Sequence, residues 1–192
     1  MIGKKTLAIL GLSIVVFILP TVGSFAFRPG NVLQLNSLKK CQNCDLTDVD
    51  LSGADLSGVN LQGAKMTGAN LASTNLSGAN LKNAELAGAR LSNANLIGAD
   101  LNNADLTGAS LIKASLSNAD LTDANFTNAK LMDARLTDAN LTNTNMTNAR
   151  MNNASLRGAK IINTNLTGAR MDNASWVDGT TCKEGSVGEC RQ

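Results

Sequence analysis

The sequence predicts an all-β solenoid, a chain coiling around a closed apolar interior, on three observations. From Leu46 to Trp176 an apolar residue returns at every fifth position, 27 times without a break, and 20 of these centres are Leu. The others are Met66, Phe126, Met146, Met151, Ile161, Met171 and Trp176. Ala stands two residues before 21 of the 27 centres. Gly or Asn often stands two residues after, as at Gly53, Gly63, Asn83 and Asn93. Both residues tolerate the unusual backbone angles of a tight corner.

A short fixed period signals stacked units rather than a globular core. Five matches neither the 3.6-residue period of a helix nor the two-residue period of a strand. Asn, Asp, Ser, Thr and Gly crowd the intervening positions, where they compete for backbone hydrogen bonds and favour turns. Each unit therefore reads as a short extended edge followed by a corner. Its Ala and its centre point inward, and the other three residues face water.

Runs such as Ala54-Asp55-Leu56-Ser57-Gly58 and Ala79-Asn80-Leu81-Lys82-Asn83 resemble the pentapeptide repeat family, whose consensus is A-[DN]-L-x-x. The resemblance covers residues 44–178, 135 of 192. It implies a right-handed quadrilateral β-helix with four units per coil. At about 4.8 Å between neighbouring strands, 27 units would make a rod roughly 32 Å long.

From the start of the chain, residues 1–26 read as a signal peptide. Lys4 and Lys5 precede an apolar run from Leu7 to Leu19, and Ser24-Phe25-Ala26 offers small residues for cleavage before Phe27. The competing reading is an uncleaved anchor, because residues 6–27 carry no charge and approach the roughly 20 needed to span a bilayer. Either reading places the rod outside the cytoplasm, in a periplasm or thylakoid lumen. Residues 27–43 depart from the five-residue period. Val32, Leu35 and Leu38 have helical spacing and Asn31 suits an N-cap, so this segment is expected to form a short N-terminal helical cap over the open first coil.

Four cysteines in an exported chain point to disulfides. Cys41 and Cys44 lie at one end of the expected rod, Cys182 and Cys190 at the other, and bridging needs Cα atoms within about 7 Å. The pairing expected is Cys41–Cys44 with Cys182–Cys190, the latter closing a tail over residues 179–192. The C-x-x-C pair also resembles the lead-in of pentapeptide proteins from photosynthetic bacteria. A redox role would need a βαβ context that is missing, and haem attachment would need His where Asp45 stands. The chain has no His, and its thiols are split between two ends, which argues against zinc. No metal or other cofactor is expected.

Four units per coil sort the outer walls into columns of 20-residue period. Thr47, Thr67, Thr107, Thr127, Thr147 and Thr167 form one, interrupted by Ala87. It reads as a side-chain ladder rather than an ice-binding face, because no second Thr rank stands beside it. A second column holds Asp50, Asn70, Arg90, Ser110, Lys130, Arg150 and Arg170. Cations one coil apart repel unless something offsets them. Asp133 and Asp172 are the expected neutralisers; a docking stripe for an anionic partner is the alternative. Ile112 and Met132 on the same wall are expected to point outward as a small apolar spot. If any surface binds a partner, these residues predict it: Arg90, Ile112, Lys130, Met132, Arg150 and Arg170. Glu85 over Asp105 and Asp100 over Asp120 supply too few ligands to hold calcium well.

Without Lys4 and Lys5 the chain carries 15 basic and 15 acidic residues; residues 44–178 carry 10 and 13. Nucleic-acid binding calls for a basic excess with stacking aromatics, and the chain has four Phe, one Trp and no Tyr. Catalysis is not expected, for no loop interrupts the units to form a pocket. The role implied is a non-enzymatic structural or protein-interaction rod, its partner unidentified. The alternative is a DNA mimic that inhibits topoisomerase, which the neutral charge and the export signal disfavour. After Trp176 plugs the last coil and the tail closes it, both ends should lack bare strand edges, so a monomer is expected.

Overall fold

A computed structural model describes residues 40–192. The signal segment and the helical spacing of Val32, Leu35 and Leu38 lie outside the described residues.

One unit shows how the sequence builds the whole. The Ala104 amide donates to the Leu101 carbonyl at 3.0 Å, closing a four-residue turn whose third residue, Asn103, has φ 56°. A left-handed residue at that position is what a type II turn requires. Asn accepts it more readily than most side chains, and Gly at no steric cost. The Leu101 amide then donates to the Asp120 carbonyl (2.8 Å), and Asp105 donates back to the Ala84 carbonyl (2.9 Å). Each edge is thus bonded to the coils above and below.

Parallel bridges join residues 20 apart, from Lys40↔Asn60 to Ser155↔Ser175. Four turns fall in each interval, so the coil has four sides. Face 1 carries the centre column Leu46 to Leu166, face 2 Leu51 to Met171, face 3 Leu56 to Trp176, and face 4 Leu61 to Ile161. Among the described residues no edge grows into a full strand or a helix. Only the residue before each centre is bridged, because the next corner begins immediately after it.

Centres and alanines fill the interior. Leu101, Ala104 and Phe126 are at most 1% exposed. Burying each Leu stabilises by roughly 1.5–3 kcal/mol. Three threonines replace Ala inside, and each bonds the carbonyl of a centre one coil below. Thr74 Oγ1 donates to Leu51 O at 2.9 Å, Thr144 to Leu121 O at 2.7 Å and Thr164 to Leu141 O at 2.7 Å. The polar atom is thereby satisfied, as burial demands.

The corners interlock as well. A Cβ at Gly63 would run into the Asn43 carboxamide, and one at Gly158 into the Asp138 carboxylate. Where Asn stacks on an acid instead, its amide bridges the coils, as from Asn143 to Asp123 Oδ1 (3.0 Å).

The ends depart from expectation. Among the described residues the bridged ladder already runs at Lys40, inside the segment expected to cap it. Cys41 donates to Asn60 O at 2.7 Å, Asn43 has φ 55°, and residues 41–44 form a regular turn. Cys41 lies five residues before Leu46 and fills a centre; Cys44 fills an Ala position. Their disulfide (S–S 2.06 Å) sits in the wall of the first coil with both residues at most 4% exposed. Cys182 and Cys190 form the second disulfide.

The C-terminal closure is half made. The tail runs antiparallel over faces 2 and 3, through Arg170↔Val187 and Ser175↔Thr181. Met171 donates to Ser186 O (2.9 Å) and Trp176 to Thr180 O (2.7 Å). On faces 4 and 1 nothing among the described residues takes that place. The amides of Ile161, Asn163, Leu166 and Gly168 meet no acceptor among the described residues. Ile161 and Leu166 are only half-buried. The expected absence of bare edges is therefore corrected: among the described residues the tail folds over two faces and back to Cys190, and the amides of the other two stay open.

Candidate functional site

Face 2 aligns the cation column. Bridges Arg90↔Ser110, Ser110↔Lys130, Lys130↔Arg150 and Arg150↔Arg170 fix each side chain one coil from the next. All four cations are exposed, and Ser110 is half-buried. Parallel stacking aims them the same way from one wall.

The expected neutralisers are engaged elsewhere. Asp133 Oδ1 accepts from Asn153 Nδ2 at 3.1 Å. Asp172 Oδ2 accepts from Asn152 Nδ2 at 2.7 Å, and its Oδ1 takes the Gly185 amide at 2.6 Å, tying the tail to the wall. Among the described residues the one ion pair is Lys82–Asp100, 3.0 Å apart on face 4. The cations of face 2 thus have no carboxylate within pairing distance. Stacking each acid on an Asn of the next coil satisfies it locally and leaves the cations to water.

Ile112 and Met132 are brought together one coil apart, with Lys113 N donating to Met132 O at 2.9 Å. Both are half-buried by this stacking, so they leave only a small apolar area on the wall. Among the described residues the large apolar side chains most open to water are Ile97, Ile162 and Val187, on face 3, face 4 and the tail.

The walls differ in charge. Face 2 carries five cations (Arg90, Lys113, Lys130, Arg150, Arg170) against Asp50, Asp133 and Asp172, a net of +2. Face 1 carries Lys65 against Asp45, Asp48, Glu85 and Asp105, a net of −3. Face 1 also holds a polar network that column-by-column reading missed. Thr167 Oγ1 donates to Asn165 Oδ1 (2.8 Å), whose amide donates to Thr147 Oγ1 (3.1 Å). Thr147 donates to Asn145 (2.6 Å), Asn145 to Thr127 (3.0 Å), Thr127 to Asn125 (2.6 Å) and Asn125 to Thr107 (2.8 Å). The chain ends where Thr107 donates to the Asp105 carboxylate at 2.6 Å. Every donor points the same way, toward an anion, an arrangement in which each bond polarises the next. The signal was present as N-x-T repeated at 20-residue spacing, the Asn and Thr columns read together. A shorter chain on face 4 runs from Thr142 through Asn140 and Thr122 to Asp120. The threonines and the stacked acids Asp105 and Asp120 are thus elements of the wall's own bonding.

These features define a class: a four-sided parallel solenoid of five-residue turns whose outer columns carry whatever specificity it has. A family model described as pentapeptide repeats matches in eight copies over residues 40–71, 64–103, 74–111, 99–138 and 134–173. The chain belongs to the pentapeptide repeat family. Among solved structures it is similar to HetL, a protein involved in heterocyst differentiation regulation from the cyanobacterium Nostoc sp. strain PCC 7120. That pair shares 29% identity over 74% of this chain and 78% of the other, with a TM-score of 0.44. It is similar to Rfr23 from the cyanobacterium Cyanothece 51142, with 30% identity, coverage of 77% and 97%, and a TM-score of 0.32. A third similarity is to a pentapeptide repeat protein of the Arabidopsis thaliana thylakoid lumen: 26% identity, coverage of 71% and 68%, TM-score 0.30. No curated protein matches the chain.

Proposed function

We propose that this protein is a non-enzymatic interaction rod working outside the cytoplasm, in a periplasm or thylakoid lumen, and that face 2 is the wall it offers to an anionic protein partner. The observation that carries this reading is the column Arg90, Lys130, Arg150 and Arg170, exposed on one wall with no carboxylate in pairing range among the described residues. Isolated surface charges contribute little. A column of like charges with its local acids engaged elsewhere is offset only by salt or by a partner, and a complementary field both speeds encounter and sets orientation. Export is supported by the positively charged start, the apolar run from Leu7 to Leu19 and two disulfides, which persist in oxidising compartments.

Two measurements test the two halves. Arg150→Glu combined with Arg170→Glu should abolish recovery of the partner that the unaltered rod retains in a pull-down; equal recovery would remove face 2 from consideration. Fractionation of cells expressing the full chain should place it outside the cytoplasm with its cysteines oxidised. A cytoplasmic, reduced product would overturn the location.

A further inference from the structure

The wall columns are mostly cross-bonded, Asn to Thr, Asn to Asp, corner to corner. A cleft of about 680 Å³ at the edge where face 2 turns into face 3 breaks that rule. It is lined by Asn93, Lys113, Ser115, Asp133 and Arg135. Among the described residues, the side chains of Asn93, Lys113, Ser115 and Arg135 make no hydrogen bond to another group, and neither cation has a carboxylate within pairing distance. We propose that this cleft binds an oxyanion that retains a proton, of the hydrogenphosphate class.

Lys113 is the first reason. It takes a corner position at φ 60°, and every other non-glycine residue with positive φ among the described residues is Asn, Asp or Ser. Short polar side chains bond locally to the backbone and offset part of the steric cost of that conformation. Lys has no such compensation, so Gly or Asn would suit the corner better. A sparsely populated backbone state held by its surroundings is a recognised mark of a binding position.

The donor set is the second. Residues carrying an ammonium, a guanidinium fork, a carboxamide and a hydroxyl line one cleft, and charge-assisted bonds of this kind are the strong ones. Asp133 supplies the selectivity. Its Oδ1 already accepts from Asn153, which leaves Oδ2 available to accept from a ligand. A fully deprotonated oxyanion such as sulfate meets that carboxylate as a like charge. Hydrogenphosphate can donate its remaining proton to it while its other oxygens face Lys113 and Arg135. The site therefore favours phosphate over sulfate.

This inference does not require the face 2 column to bind a protein, since Lys113 and Arg135 lie outside that column. Calorimetric titration of the mature, oxidised rod with inorganic phosphate should give one saturable site, weak, with Kd on the order of 1 mM or tighter. Lys113→Gly should weaken phosphate by about tenfold or more, the loss of one charge-assisted bond, while raising the melting temperature because Gly fits the corner. Arg135→Gln should weaken it similarly, and Asp133→Asn should erase the preference over sulfate. Arg150→Glu with Arg170→Glu should leave phosphate affinity unchanged. The proposal is overturned if phosphate does not saturate the wild-type rod, or if Lys113→Gly binds it equally well. Loss of binding in the double Glu variant would overturn it too, by assigning the effect to the general field of face 2.

Discussion

Leu106 and Leu166 stand in one column of face 1, three coils apart, in surroundings that differ completely. Leu106 is fully buried, and its amide donates to Asn125 O at 2.8 Å. Leu166 is half-buried and its amide has no acceptor among the described residues. A quarter of a coil further on, Met171 is fully buried again, because the tail covers it and Ser186 O takes its amide. The contrast shows that a coil's cohesion is set less by its own residues than by the presence of a coil above it, as in other linear arrays. It also shows that the tail restores the amide bond on two faces, at Met171 and Trp176, and not on the other two.

The largest effect that would break the comparison is truncation at the paired positions. Leu106→Ala should cost about 2–5 kcal/mol in urea unfolding, and Leu166→Ala less than half of that; equal losses would mean the last coil is as closed as the middle ones. Replacing both Cys182 and Cys190 with Ser should destabilise the tail by about 2–3 kcal/mol for a loop of this size. Faster hydrogen exchange at Met171 and Asn173, with Leu101 and Asn103 unaffected, would localise the loss. Exchange throughout the rod would show instead that the tail controls the whole. Ala104→Leu, in the sealed interior, should overpack its coil by about 1–3 kcal/mol, visible as a lowered melting temperature. Thr144→Val removes a buried bond to Leu121 O and should cost about 1 kcal/mol; Thr164→Val, in the half-open coil, should cost less.

The smallest effect is on pH dependence. Hydrogen bonds from the Thr180 hydroxyl, and then from its amide, hold the Asp178 carboxyl below its usual value. A depressed carboxylate pKa contributes stability above the unfolded-state value and loses it as pH falls through the folded one. The turn at residues 178–180 should therefore loosen only in acid, below the ordinary aspartate range. Chemical-shift titration of Thr180 would follow it, and a midpoint at or above that range would contradict the hydrogen-bonded geometry.

The interior was legible because a repeat of five is a statement about translation. Once Leu101 and Ala104 are placed, every other unit is placed with them, and the bridges at 20 residues follow. Cys41 escaped notice because its partners at the same column position are Leu and Ile, although its distance of five from Leu46 was there to be counted. The corner column carried a similar signal. Gly, Asn, Asp or Ser fills it at unit after unit until Lys113, and the exception marks the cleft. Other parts could not be read. The fate of Asp133 and Asp172 depends on which neighbour a short carboxylate reaches first, a matter of angstroms between Asn153 and a cation. How far a 14-residue tail extends over the last coil depends on where its disulfide folds it back, which spacing does not disclose.

The corner at every fifth residue has a further consequence for how such a molecule changes over time. Deleting 20 residues from the middle would shorten the rod and leave each wall continuous. Deleting five would turn everything beyond the cut by a quarter revolution. Arg150 and Arg170 would then stand above a different wall from Arg90 and Lys130, with the interior still packed and the stripe broken in two. Length in this protein is free to drift in whole coils, whereas a single lost pentad rewrites its exterior without touching its core.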